Sequence, residues 1–146
     1  MPKILGTKKT IENYQLDENP DSPTFQVVYS SSNINRWAKE LSGLEDQAAK
    51  LREENATGER EEDAIIQDIT AINRKIISTM AGEDAYQRIL AYMGQGLPES
   101  ECALALSDIT GSLAIELSDR IFANKALNAD KYIRDKHAKA APVNVL

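Results

Sequence analysis

The sequence contains a single cysteine and a single histidine, and this shortage excludes several kinds of chemistry. Cys102 cannot form a disulfide within the chain, and together with His137 it supplies too few ligands for a Cys/His metal cluster. Only carboxylate sites are left for a metal ion, and no spaced aspartate pattern such as an EF-hand loop occurs. We therefore expect His137 to be a surface residue and Cys102 to be a small buried side chain.

Aromatic residues are also scarce, at 5% of the chain, so the core must be built mainly from Leu, Ile and Ala. This composition favours helix packing over a sheet sandwich. The net charge of −6 repels a phosphate backbone, which disfavours nucleic acid as a partner. There is no signal-peptide pattern and no apolar run of membrane-spanning length, so we expect no membrane partner and a cytoplasmic location.

The first 23 residues are predicted to be an irregular N-terminal segment, with Pro20 and Pro23 marking a turn at its end. The segment TFQVVYS (24–30) is the best strand candidate, because it is short and rich in β-branched and aromatic residues. A lone strand is not stable. We therefore expect its partner within KILGTKKTIENYQL (3–16) or in another subunit.

Two long helices are predicted next, joined as an αα-hairpin. The first starts with Ser32 or Asn33 as N-cap and carries an apolar stripe at alternating spacings of three and four. The stripe comprises Ile34, Trp37, Leu41, Leu44, Ala48 and Leu51. The acidic segment EENATGEREED (53–63) is predicted to be the turn. The second helix follows with Ile65, Ile66, Ile69, Ile72, Ile76, Ile77 and Met80 on a helical period.

The stretch STMAGEDAYQRILAYMG (78–94) predicts a sharp corner between helices. Gly82 can adopt a left-handed conformation at a helix end, and Glu83 and Asp84 suit the first turn of a third helix over 83–93. The connector GQGLPES (94–100) leads to a fourth helix that ends near Ala126. Its inward side chains are predicted to be Cys102, Leu106, Ile109, Leu113, Leu117 and Ile121.

The predicted fold is therefore mainly α, with a helical hairpin, four to five helices in all and a small N-terminal β element. A helical domain spans residues 24–126 with the short strand at its start, and residues 127–146 form a short helix and a loose tail. Charge is uneven along the chain: residues 40–63 hold nine acids and three bases, and residues 120–139 hold six bases and two acids. In a self-associating protein, such oppositely charged segments could meet head-to-tail.

Nothing in the sequence predicts an active site, so we expect no enzyme activity, no catalytic residue and no cofactor. Glu83 and Asp84 are adjacent on a helix and point in different directions, so they do not converge on one ion. The connector GQGLPES lacks the GKS or GKT of a phosphate-binding loop and has no preceding strand.

The order of these features resembles the tail assembly chaperones of long-tailed (siphovirus-type) phages and prophages. In that family an apolar helix ends in a Gly-Glu-x-Ala or Gly-Asp-x-Ala corner followed by a short helix. The resemblance spans residues 25–122. The positions that match the corner motif are Gly82, Glu83, Ala85, Tyr86, Ile89 and Leu90.

The resemblance implies a non-enzymatic protein of the host cytoplasm that forms homo-oligomers. It would coat the helical, aggregation-prone tape measure protein until tail tube protein replaces it. A client helix with exposed apolar stripes can be shielded in apolar grooves. For self-association we nominate Ile34, Trp37, Leu41 and Leu44, and for client binding the region of Tyr86, Ile89, Leu90 and Met93.

Other interpretations of the sequence remain. The first alternative is a helical-hairpin adaptor or another small protein–protein interaction module. A secreted effector of the WxG type is disfavoured, because Trp37 is followed by Ala38 and Lys39 within a helix. An enzyme with a carboxylate-bound metal would need acids on the isoleucine-rich faces, which have none. A nucleic-acid-binding phage protein is favoured only by the basic C-terminal segment.

Overall fold

The computed structural model describes residues 2–3, 5–58 and 61–144, with side chains described through residue 123 except for Glu45. It confirms a mainly helical fold with a small two-stranded sheet at the N-terminus. The strands are β1 (Ile11–Gln15) and β2 (Thr24–Val28). The helices are α1 (Ser31–Glu40), α2 (Leu44–Thr57), α3 (Glu62–Ala81), α4 (Glu83–Gly94), a 3₁₀ helix (Glu99–Cys102) and α5 (Ala103–Asn144).

The two strands form an antiparallel hairpin in which Ile11 pairs with Val28 and Gln15 with Thr24. The predicted partner of β2 thus lies within residues 3–16, and the prediction of an irregular segment over 1–23 is wrong for β1. Successive side chains of a strand point to opposite faces, and Phe25 and Val27 are accordingly both buried on one face of β2. The hairpin packs this face on the helices.

The first predicted helix is broken into α1 and α2 by a turn at Gly43, which has φ of 82°. Hydrophobic periodicity could not reveal the break, because the stripe continues across it with the same spacing. The N-cap is also different from the prediction. Ser30 occupies it and accepts a hydrogen bond from the Asn33 amide at 3.2 Å, while the Asn33 side chain donates to the Val28 carbonyl oxygen at 2.9 Å.

Helix α3 is the centre of the fold, since it packs against α2, α4 and α5. The α2–α3 pair is the predicted hairpin, with a connection from Gly58 to Glu61 that is shorter than expected. Six of the seven predicted apolar residues of α3 are buried, and Ile66 is half-buried. Asn73 is also buried on this helix and donates a hydrogen bond to the Ala103 carbonyl oxygen at 2.9 Å, which fixes α3 against the start of α5.

The corner between α3 and α4 lies at Gly82, as predicted. Its φ of 98° and ψ of 151° belong to an extended region that only glycine adopts readily, rather than to the left-handed helical region. Glu83 holds the corner by accepting hydrogen bonds from Ser78 at 2.7 Å, from Gln87 at 3.0 Å and from Arg74. These bonds lower the pKa of Glu83 to about 2.

Helix α5 begins after the 3₁₀ helix, close to the predicted start. Among its predicted inward side chains, Cys102, Leu106, Leu113 and Leu117 are buried and Ile109 and Ile121 are half-buried. The predicted end near Ala126 is wrong, because helical backbone continues to Asn144. No glycine or proline occurs between residues 112 and 141, and alanine and lysine, which favour helix, are frequent there. Val145, Leu146 and the His137 side chain lie outside the described residues.

A buried arginine ties the N-terminal hairpin to α5. The Arg120 guanidinium is over the Tyr29 ring at 3.9 Å and donates to Glu116 at 2.8 Å, to Glu12 at 3.1 Å and to the Lys9 carbonyl oxygen at 2.9 Å. Hydrogen bonds from Arg120 and Lys8 outweigh the effect of burial, and keep the pKa of Glu116 below its ordinary value. This Arg120 cluster joins β1, through Glu12, and the residue that follows β2, Tyr29, to α5.

A candidate protein-binding surface

Two of the four residues nominated for self-association belong to the monomer core. Ile34 is 8% exposed and Trp37 is 2% exposed, and the Trp37 ring makes an edge contact with Tyr29 at 6.1 Å between centroids. Leu41 and Leu44 are half-buried at the α1–α2 turn. Burial leaves Ile34 and Trp37 little surface for a partner in the folded protein, whereas Leu41 and Leu44 keep accessible surface.

The residues nominated for client binding divide in the same way. Tyr86 and Ile89 are fully buried, and the Tyr86 hydroxyl donates to the Glu99 carboxylate. Burial and this bond raise the pKa of Tyr86 above its ordinary value. Leu90 and Met93 are half-buried, and the following connector exposes Leu97 at 61%. The accessible part of the nominated region is therefore its C-terminal end.

Helix α5 carries large apolar side chains on its outer side that sequence reasoning did not single out. Leu104, Ile115 and Phe122 are 67%, 66% and 75% exposed. They are separated by eleven and seven residues, which is close to three and two complete helical turns, so they share one face. We call this set the α5 apolar face. A single exposed leucine is ordinary, but three aligned large side chains are typical of an interaction surface.

The α5 apolar face has an acidic border. Asp108 and Asp119 follow Leu104 and Ile115 by one helical turn, and both are exposed. Neither carboxylate is in an ion pair within the described part of the chain. The one base of α5 before residue 124, Arg120, is engaged in the Arg120 cluster. Among the described residues, this face therefore presents net negative charge to a partner.

A groove of about 300 Å³ lies beside this face, between the α1–α2 turn and α5. Its walls are Trp37, Ala38, Leu41, Ser42, Gly43, Asp46, Ile76, Ala114, Leu117, Ser118 and Ile121. Ala114 and Ser118 also line a shallow depression with Ile115, so the groove and the α5 apolar face are continuous. The indole N–H of Trp37 is buried and has no hydrogen-bond partner among the described residues, although buried donors normally have one.

The described residues contain no group of three or more His, Cys, Asp or Glu that could hold a metal ion. Within the same part of the chain, no helix is long and apolar enough to cross a membrane. Cys102 is buried with its sulfur packed near Gly94, where an added Cβ would lie 2.9 Å from Sγ.

No family model, curated protein or solved structure matches this chain.

Proposed function

We propose that this protein is a non-enzymatic tail assembly chaperone of a phage or prophage, which self-associates in the host cytoplasm and coats the tape measure protein. The order of helices around the Gly82 corner is the basis of the resemblance. The tail tube protein, which takes over the client at the end of assembly, is a further partner in this proposal.

The observation that carries the proposal is the α5 apolar face with its adjoining groove. A coat protein needs exposed apolar area that can cover apolar stripes of a helical client, and it needs moderate affinity because the coat must later leave. Three aligned, two-thirds-exposed side chains on a long helix provide such area without opening the core. The half-buried Leu90 and Met93 and the exposed Leu97 offer a second apolar contact region.

The proposal is tested by co-expression with a tape measure protein, which is expected to be encoded by a long helical reading frame just downstream. We expect the wild-type chain to keep that client soluble and to co-purify with it. Leu97→Ser with Phe122→Ser should abolish this effect, whereas Leu5→Ser should not, since Leu5 is 87% exposed and belongs to neither apolar contact region. Failure of the wild-type chain to bind the client would refute the proposal.

A helical-hairpin adaptor is the second candidate. The α2–α3 hairpin leaves an open groove of about 420 Å³ between Gln47, Lys50 and Leu51 on one helix and Ala71 and Ile72 on the other. Light scattering coupled to size exclusion separates the two candidates. A 16.1 kDa monomer at every concentration supports the adaptor, and a larger species supports the chaperone.

A further inference from the structure

The α5 apolar face occupies the acidic half of a helix whose other half is basic. Residues 99–123, which include the 3₁₀ helix, contain five acids and one base, for a net charge of −4. Residues 124–144 contain five bases and two acids, for a net charge of +3. Helix α5 is thus a rod with opposite charge on its two halves, and the exposed apolar side chains lie in the negative half.

The same helix is much longer than the helices against which it packs. Its 42 residues correspond to about 63 Å, whereas the 20 residues of α3 correspond to about 30 Å. Helix α5 is therefore about twice as long as α3, its main packing partner. The backbone of α5 continues as helix through residues 124–144, whose sequence carries net positive charge, so the same chain contains a helical segment of charge opposite to that around the α5 apolar face.

We propose that the α5 apolar face binds the basic half of α5 from a second copy, in an antiparallel pair. Running the two helices in opposite directions places each negative half beside the positive half of its partner. The arrangement is closed and symmetric, because each copy provides one acidic face and one basic segment. A parallel pair would instead place like charges together along both halves, which is unfavourable.

Apolar contact and charge have separate roles in this pair. Leu104, Ile115 and Phe122 supply the area removed from water, which provides most of the affinity. Asp108 and Asp119 lie at its border, where charges mainly determine orientation and partner choice. The pair rests on the proposed function only in taking the α5 apolar face as a binding surface. It names a second copy as the occupant of that face, and a client helix would have to displace this copy.

The test is a charge-exchange experiment on the full chain. An acid-side variant carries Asp108→Lys and Asp119→Lys, and a base-side variant carries Lys125→Glu and Lys136→Glu, two positions with the same spacing of eleven residues. Each variant alone opposes like charges across the pair, so its association should weaken on the order of tenfold or more. Mixed in equal amounts, the two variants should associate again, because all opposed charges are then of opposite sign.

The measurement is the molar mass by light scattering after size exclusion, at low and at high salt, with circular dichroism to show that each variant is folded. The control variant Glu18→Lys with Glu53→Lys makes the same change in net charge at exposed acids elsewhere. It should associate like the wild type. Ile115→Ser with Phe122→Ser should leave a monomer at any salt concentration, since it removes the apolar contact.

Three outcomes would overturn the inference: a monomeric wild type, a mixture that stays monomeric, or a control that loses association as strongly as the acid-side variant. A monomeric wild type that still binds the tape measure protein through Phe122 would make the α5 apolar face a client site. Client binding would then stand without this pair, whereas the self-association in the proposed function would be refuted. Recovered association in the mixture, with no client binding, would support the pair and refute the proposed function.

Discussion

Replacing Arg120 is expected to loosen the N-terminal hairpin from the helices. The side chain is 8% exposed and makes two ion pairs, one hydrogen bond to a backbone carbonyl oxygen and one cation–π contact. Breaking a buried ion pair costs about 3–5 kcal/mol. Glu12 and Glu116 are 32% and 25% exposed, and Glu116 keeps Lys8 at 3.1 Å, so both carboxylates retain some compensation. We therefore expect Arg120→Ala to lower the free energy of unfolding by about 2–4 kcal/mol.

The conservative variant Arg120→Lys separates charge from geometry. An ammonium keeps the positive charge but lacks the planar fork that reaches Glu12, Glu116 and the Lys9 carbonyl oxygen together. Arg120→Lys should therefore lower the free energy of unfolding less than Arg120→Ala does, by about 1–2 kcal/mol. Lys8→Ala is the matched control. Lys8 is 51% exposed and pairs with the same Glu116, so its removal should cost less than about 1 kcal/mol.

Urea unfolding gives the free energies, and native-state hydrogen exchange shows where the loss occurs. In Arg120→Ala the amides of β1 and β2 should exchange faster relative to those of α3, because the hairpin loses the Arg120 contacts and keeps only the exposed Lys8–Glu116 pair among its ion pairs to α5. Equal losses for Arg120→Ala and Lys8→Ala would refute this reasoning. A decrease in the free energy of unfolding of less than about 1 kcal/mol for Arg120→Ala would also refute it, because an exposed ion pair alone contributes that much.

Three further predictions concern the corner and its surroundings. Gly82→Ala should destabilise the protein by about 1–3 kcal/mol in thermal or urea unfolding, because the backbone conformation at this position suits only glycine. The control is Gly111→Ala, which lies in a helix and should stabilise by about 0.5–1 kcal/mol. A Cβ added at either position meets no atom within 4 Å, so steric clash does not enter the comparison. Because the folded pKa of Glu83 is below its ordinary 4.5, its contribution to stability is present above pH 4.5 and lost as the pH falls towards about 2. Urea unfolding at a series of pH values should therefore show the stability difference between the wild type and Glu83→Gln shrinking as the pH falls from 4.5 towards about 2. A difference that stays constant over this pH range would contradict the prediction. Tyr86→Phe should cost about 1–2 kcal/mol by removing a bond to a carboxylate from a buried ring, and Tyr92→Phe, whose hydroxyl reaches exposed Asp17, should cost only a few tenths.

Periodicity and glycine placement were sufficient to predict the α2–α3 hairpin, the corner at Gly82 and the inward face of α5. Each of these depends on local signals that a single helix or turn carries by itself. The break at Gly43 cannot be seen in the apolar pattern. Helices α1 and α2 both direct apolar residues to the same core, and the spacing of three and four continues from one helix into the next. The continuation of α5 is not predictable in this way, because the apolar residues after Ala126 are unevenly spaced and such spacing favours the end of a helix.

The candidate surface was less predictable than the fold. An apolar helical stripe predicts an interface at Ile34 and Trp37, whereas tertiary packing buries both side chains within the monomer. Burial of Asn73 and Arg120 depends on partners 30 and 108 residues away, and no local pattern encodes such pairings. The exposed face of α5 could have been found, because Leu104, Ile115 and Phe122 fall outside the inward register of their own helix.

The Arg120 cluster has a consequence for the time course of folding. Glu12 and Arg120 are separated by 108 residues, so a ribosome working at about 5–20 residues per second needs roughly 5–20 seconds to deliver the arginine after the glutamate. The α2–α3 and α3–α4 pairs involve near neighbours and can form during that interval. The β-hairpin must wait for its polar connection to α5, although β2 can already contact α3 and cover part of its apolar face during that interval.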